Sequence, residues 1–114
     1  MPFIDTKTNI TVSKEKEVLL KTRLGEAIQI FPGKSENWLM IAIEGDIPMY
    51  FRGENEAPMA YIEVKVFGSI SGSSTQKMTE ELTKIYGEVL GIASDKLYIS
   101  YFSVKDWGWN GANF

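Results

Sequence analysis

The chain contains no histidine and no cysteine. That removes a cysteine nucleophile, every histidine-based triad, thiol redox chemistry, a disulfide framework and the usual zinc sites. Metal binding through carboxylates alone stays open. Chemistry therefore falls to Lys, Arg, Asp, Glu, Tyr, Ser or Thr, or to the chain terminus. Pro2 is the sharpest candidate. Loss of Met1 would turn it into a terminal secondary amine. Such an amine titrates at about 8 when unperturbed and lower in apolar surroundings. A neutral amine near pH 7 is a competent general base. Lys34, just past Pro32-Gly33, is a candidate anion site, although a lysine after a helix end is commonly solvated and favoured there by the helix dipole. Tyr98 reads first as a core or interface tyrosine. Gly68-Ser69-Ile70-Ser71-Gly72 lacks the Gly-Lys-Ser/Thr ending of a phosphate loop and reads as a strand-to-helix turn. Glu54, Glu56 and Glu63 read as a solvated surface. No Lys/Arg stripe accompanies the aromatic tail Trp107-Gly108-Trp109 to Phe114, so an interface or a ring-binding pocket fits it better than stacked bases.

These residues need a scaffold, and 114 residues make one domain. A hydrophobic content of 44% against 24% charged argues against disorder. A net charge of −3 offers no basic field to nucleic acid or anionic lipid. The start lacks the charged region and long apolar run of a signal peptide, and Trp38 to Ile43, the longest apolar run, is far short of a membrane span. The expectation is a soluble cytoplasmic protein. Export by a non-standard route would leave no mark in the sequence.

Phe3 to Thr8 predicts a first strand. Ser13 predicts an N-cap, and Leu20, Leu24, Ala27, Ile28 and Phe31 predict one apolar helical face that ends at Pro32-Gly33. Trp38 to Ile43 reads as a strand buried on both faces. Met49-Tyr50-Phe51 reads as a short strand, and Arg52 to Glu56 as a turn-rich, charged loop. Tyr61 to Phe67 predicts a strand, and Met78, Leu82, Ile85, Tyr86 and Val89 the face of a second helix ended by Gly91. Leu97 to Phe102 predicts the last main strand.

Leu20, Leu24, Ala27 and Phe31 lie 58 positions before Met78, Leu82, Ile85 and Val89, so the halves repeat as two βαβ units. Two such units can share a four-stranded sheet with both helices on one face. The other face is then expected to be apolar and covered by further subunits in a closed assembly.

Taken together, these residues resemble the macrophage migration inhibitory factor family of the tautomerase superfamily, over essentially the whole chain. The resemblance rests on Met1-Pro2-Phe3-Ile4 with Thr8-Asn9, Pro32-Gly33-Lys34, Phe67-Gly68, Asp95 to Phe102, and Trp107-Gly108-Trp109-Asn110-Gly111. It implies an α/β fold of two βαβ repeats with a four-stranded mixed sheet, assembled as a homotrimer with sites between neighbouring subunits. It implies keto–enol tautomerisation of phenylpyruvate-like α-keto acids without metal or cofactor. Pro2 matches the catalytic terminal proline, Lys34 the lysine that holds the substrate carboxylate, and the N–H near Phe67 a second contact to that group. Tyr98 matches a pocket tyrosine from the adjacent subunit. Phe3, Trp38, Trp107, Trp109 and Phe114 match positions near the pocket.

Met59-Ala60-Tyr61-Ile62 stands where vertebrate members carry Cys-x-x-Cys, which excludes their thiol oxidoreductase activity. Ser100 replaces a pocket asparagine, and Trp107 replaces a small aliphatic residue. Superfamily members acting on diacids or haloacrylates typically use arginines; the chain has only Arg23 and Arg52, one on a helix and one in a loop. The alternative to an enzyme is a cytokine-like binding protein with a vestigial pocket, and no residue identifies a receptor.

Overall fold

The computed structural model describes residues 1–114. Strand β1 (Pro2–Thr8), helix α1 (Lys14–Ala27) and β2 (Met40–Glu44) form the first unit. β3 (Ala60–Phe67), α2 (Gly72–Leu90) and β4 (Leu97–Val104) form the second, followed by the short strands β5 (Gly108–Trp109) and β6 (Ala112–Asn113). The sheet order is β2-β1-β3-β4. β1 runs parallel to β2 and β3 parallel to β4, while β1 and β3 meet antiparallel at the centre. Parallel neighbours need a crossover of a dozen or more residues, which each helix supplies.

Burial alternates along the central strands, so one sheet face is covered. Ile4, Ile62, Val64 and Val66 pack there against Leu20 and Leu24 of α1 and Met78, Leu82 and Ile85 of α2. The repeated apolar positions thus meet in a single core. Thr6 and Thr8 are buried on the same face and keep their hydroxyls paired, Thr6 with the Tyr86 hydroxyl and Thr8 by donating to the Met59 carbonyl at 2.7 Å. Burial pushes the Tyr86 phenol upward, with the Thr6 hydrogen bond opposing.

Ser13 caps α1 by accepting from the Lys16 N–H, and Ser71 caps α2 by accepting from Ser74. Gly91 ends α2 in the left-handed region that glycine tolerates. The first helix ends earlier than the apolar spacing predicts. α1 stops at Ala27 and tightens into a 3₁₀ turn over Ile28–Ile30, leaving Phe31 extended. A residue before proline is driven from the helical region, so Phe31 cannot continue the helix into Pro32. Ile28 and Phe31 still reach the core.

The reading of Trp38 to Ile43 as a doubly buried strand is corrected. Trp38 lies in a 3₁₀ turn over Glu36–Trp38, and β2 is an edge strand with Met40 69% exposed. The expectation of an apolar second face is corrected too. Register aligns Ala42, Asp5, Glu63 and Ser100 in one row across that face, and Glu44, Lys7, Tyr61 and Tyr98 in the next. Asp5 Oδ1 is shut from solvent with no donor. The Glu44 carboxyl is held above the usual carboxylate range, chiefly because a proton on it can bond Asp5; Lys7 opposes. Met49-Tyr50-Phe51 forms no strand; Phe51 makes only an isolated bridge with Glu54. No helix is long and apolar enough to cross a membrane.

Candidate functional site

Pro2 opens β1 opposite Val66 and is buried. Beside it lies a cleft of about 740 Å³ lined by Met1, Pro2, Phe3, Trp38, Met40 and Trp107, among others. The tail builds one wall. Asn110 and Gly111 both take positive φ between β5 and β6, the backbone of a tight hairpin. The Phe114 N–H donates to the Trp107 carbonyl at 2.9 Å and closes it. The hairpin sets Trp109 edge-on to Trp38 at 5.0 Å between ring centroids and stacks it with Phe114 at 6.3 Å. Phe114 in turn meets Phe67 at 5.9 Å.

Lys34 and Phe67 do not line this cleft; they bracket Met1. The Lys34 Nζ donates to the Phe67 carbonyl at 3.1 Å, and the Phe67 N–H donates to the Met1 carbonyl at 3.0 Å. The Met1 amine is held below its ordinary value, first by burial, then by the charge and hydrogen bond of Lys34 beside it. A methionine thus sits covalently at the point where Pro2, Lys34 and the Phe67 N–H converge. The Met1–Pro2 bond makes the proline nitrogen an amide, whose lone pair is delocalised and not basic.

Of the residues singled out from sequence, Pro2, Phe3, Trp38, Trp107 and Trp109 border the cleft, and Lys34, Phe67 and Phe114 adjoin it. Tyr98 does not join them within one chain. It pairs with Tyr61, five residues along β3 from Val66, the partner of Pro2. That is roughly 17 Å at strand rise. There it is 63% exposed and packs edge-on against Phe51 at 5.4 Å. Sequence reasoning missed Asn37, Leu39 and Met40, which also line the cleft. Their signal was proximity to Trp38. It also missed the hairpin, whose signal was Asn110-Gly111, the commonest pair for a two-residue turn with both residues at positive φ. Nowhere do three carboxylates group so as to hold a metal ion.

The fold and site define a two-repeat α/β protein whose amino terminus opens into an aromatic cleft beside a lysine. The family model for macrophage migration inhibitory factor matches residues 1–114. The chain belongs to that family, within the tautomerase superfamily. It is 26% identical to macrophage migration inhibitory factor of Rattus norvegicus over 116 residues, covering 100% of this chain and 99% of the rat protein. Among solved structures it resembles MIF2 of Leishmania major, with a TM-score of 0.92 and 32% identity over 100% of this chain and 97% of that one. The homologue from Prochlorococcus marinus follows at 0.83 and 32%, covering 98% of each chain.

Proposed function

We propose that the chain, once Met1 is removed, is a cofactor-independent tautomerase of phenylpyruvate-like α-keto acids. The observation that carries this is the position of Pro2, buried at the end of a cleft walled by Phe3, Trp38, Trp107 and Trp109, with Lys34 and the Phe67 N–H one residue away. The freed secondary amine takes a proton from the carbon next to the ketone. The electron pair of that C–H bond becomes the enolate, and the proton returns to the ketone oxygen to complete the enol; the reverse reaction runs the same path. Lys34 anchors the carboxylate and favours the developing negative charge. The aromatic walls hold the ring.

The site is completed by assembly in this reading. Tyr98 is exposed at the opposite end of the sheet from Pro2, as a residue lent to a neighbouring subunit would be. β2 and β4 each carry a free edge, and Met40, Tyr50 and Phe102 are exposed nearby or along the same sheet. A homotrimer that uses these surfaces meets both needs. The test is the absorbance change of phenylpyruvate with Met1-free protein and with Pro2→Gly, which keeps a terminal amine but loses the ring. Turnover that falls about 10²-fold in the variant, the low end of general-base catalysis, is expected. No turnover by the Met1-free protein would leave a binding protein with a vestigial pocket.

A further inference from the structure

Phe67 carries both of the contacts that bracket Met1, its N–H to the Met1 carbonyl and its carbonyl, in the Phe67–Gly68 peptide, to the Lys34 ammonium. Something must hold that peptide, because it lies at the end of β3, where the ladder stops. The structure shows how. The Gly68 N–H donates to the Val104 carbonyl at 3.0 Å. In a trans peptide the carbonyl points opposite to the following N–H. Fixing the Gly68 N–H on β4 therefore aims the Phe67 carbonyl away from β4, onto the Lys34 ammonium.

The next peptide is held as well. The Gly68 carbonyl accepts from the Ser103 hydroxyl. Between these two fixed planes Gly68 adopts a φ of +92°, which only glycine takes readily. Without the second clamp, the Gly68–Ser69 peptide can rotate, and the glycine with it. Ser103 pairs with Val66 across the β3–β4 ladder, so its hydroxyl stands beside the turn without touching Pro2 or Lys34.

We propose that Ser103 is a positioning residue for carboxylate binding, acting through Gly68 and the Phe67 carbonyl to hold Lys34 in place. Besides the Lys34 ammonium itself, its hydroxyl is the one side-chain group hydrogen-bonded to Phe67 or Gly68. The proposal rests on the reading of Lys34 as the carboxylate anchor, and its test separates the two. The probe is benzoylformate, an aryl α-keto acid that presents the same carboxylate and ketone but has no enolisable carbon and so cannot tautomerise. Quenching of the cleft tryptophans gives its Kd, and phenylpyruvate turnover is measured beside it on protein whose Met1 removal is verified by mass.

Ser103→Ala is expected to raise the benzoylformate Kd and the phenylpyruvate KM about fivefold, the value of one hydrogen bond, with kcat within about twofold. Ser103→Thr, which restores a hydroxyl, is expected to return both to the parent values. Urea midpoints of all three proteins confirm an intact fold. A Kd shift without any turnover in the parent would overturn the tautomerase reading and leave Ser103 in its role. A Kd unchanged in Ser103→Ala, a shift that Ser103→Thr does not reverse, or a parent that binds no benzoylformate would overturn the proposal.

Discussion

Retention of Met1 should abolish activity, and the structure sets the size of the loss. Three effects combine. The proline nitrogen is an amide while the Met1–Pro2 bond exists, so the general base is missing; that is worth about 10²–10⁴-fold in rate. The Met1 carbonyl occupies the Phe67 N–H at 3.0 Å, and a substrate must displace that bond. At about 1 kcal/mol net, this weakens binding roughly fivefold more. Met1 also borders the cleft itself, taking space a substrate ring would use. Protein made with methionine removal blocked should therefore turn over phenylpyruvate at no more than about a hundredth of the processed rate. Treatment of the same sample with an aminopeptidase should restore activity in proportion to the fraction that loses one methionine by mass spectrometry. Full activity with Met1 intact would eliminate Pro2 as the base and refute the mechanism.

Lys34→Ala should raise the KM for aryl α-keto acids about tenfold or more, since hydrogen bonds to a charged partner are worth about 1.5–3 kcal/mol. Its urea midpoint should move by no more than the one bond to Phe67, about 1 kcal/mol; an unchanged KM would show that another group holds the carboxylate. Light scattering at micromolar concentration should give three times the 12.9 kDa chain mass, and a stable monomer would remove Tyr98 from the site. Stability should fall as pH rises above about 10. The Tyr86 phenol is raised above its ordinary 10.0, so the folded state keeps a proton that the unfolded state releases; Tyr101, also raised by burial, adds to the slope. Urea midpoints at alkaline pH should fall less steeply in Tyr86→Phe, which below pH 10 is less stable because the Thr6 hydroxyl loses its partner.

The core was legible in the sequence because helical spacing is a local signal. Leu20, Leu24, Met78, Leu82 and Ile85 are all fully buried, and their offset between halves already implies two equivalent units. Strand ends and turns were less legible where one residue decides them. Phe31 looks helical by spacing, yet the proline after it forces an extended backbone. Thr8 reads as the end of the first strand, and Asn9 follows it outside any apolar period. They are a clamp: Asn9 donates to the Ala57 carbonyl and accepts from the Met59 N–H, both at 2.9 Å, and so ties the loop before β3 to the end of β1. No spacing rule finds such a contact, because its partners are about 50 residues apart.

The candidate site divides the same way. Residue type nominated Pro2, Lys34 and the tail tryptophans, and the resemblance to the family added Trp38. What brings Lys34 to Pro2 is the strand order, which seats β1 between β2 and β3 and so brings the end of β3 beside the chain terminus. The free sheet face shows where composition misleads. A run of six apolar residues suggested a face wanting full cover, but a face belongs to four strands, and β1 and β3 supply Asp5, Lys7, Glu63 and Lys65 to it. Burying these four side chains dry would strand charges. The apolar and aromatic groups lie in the rows on either side of Asp5 and Glu63: Met40, Phe3 and Phe102 together with Lys65 in one, Tyr61 and Tyr98 together with Lys7 and Glu44 in the other. A neighbouring subunit that packs on the aromatic groups and leaves the charged ones wet would suit both sets of residues. Such a contact would also bring the neighbour's Tyr98 end toward the Pro2 end of this chain, as the proposed site needs.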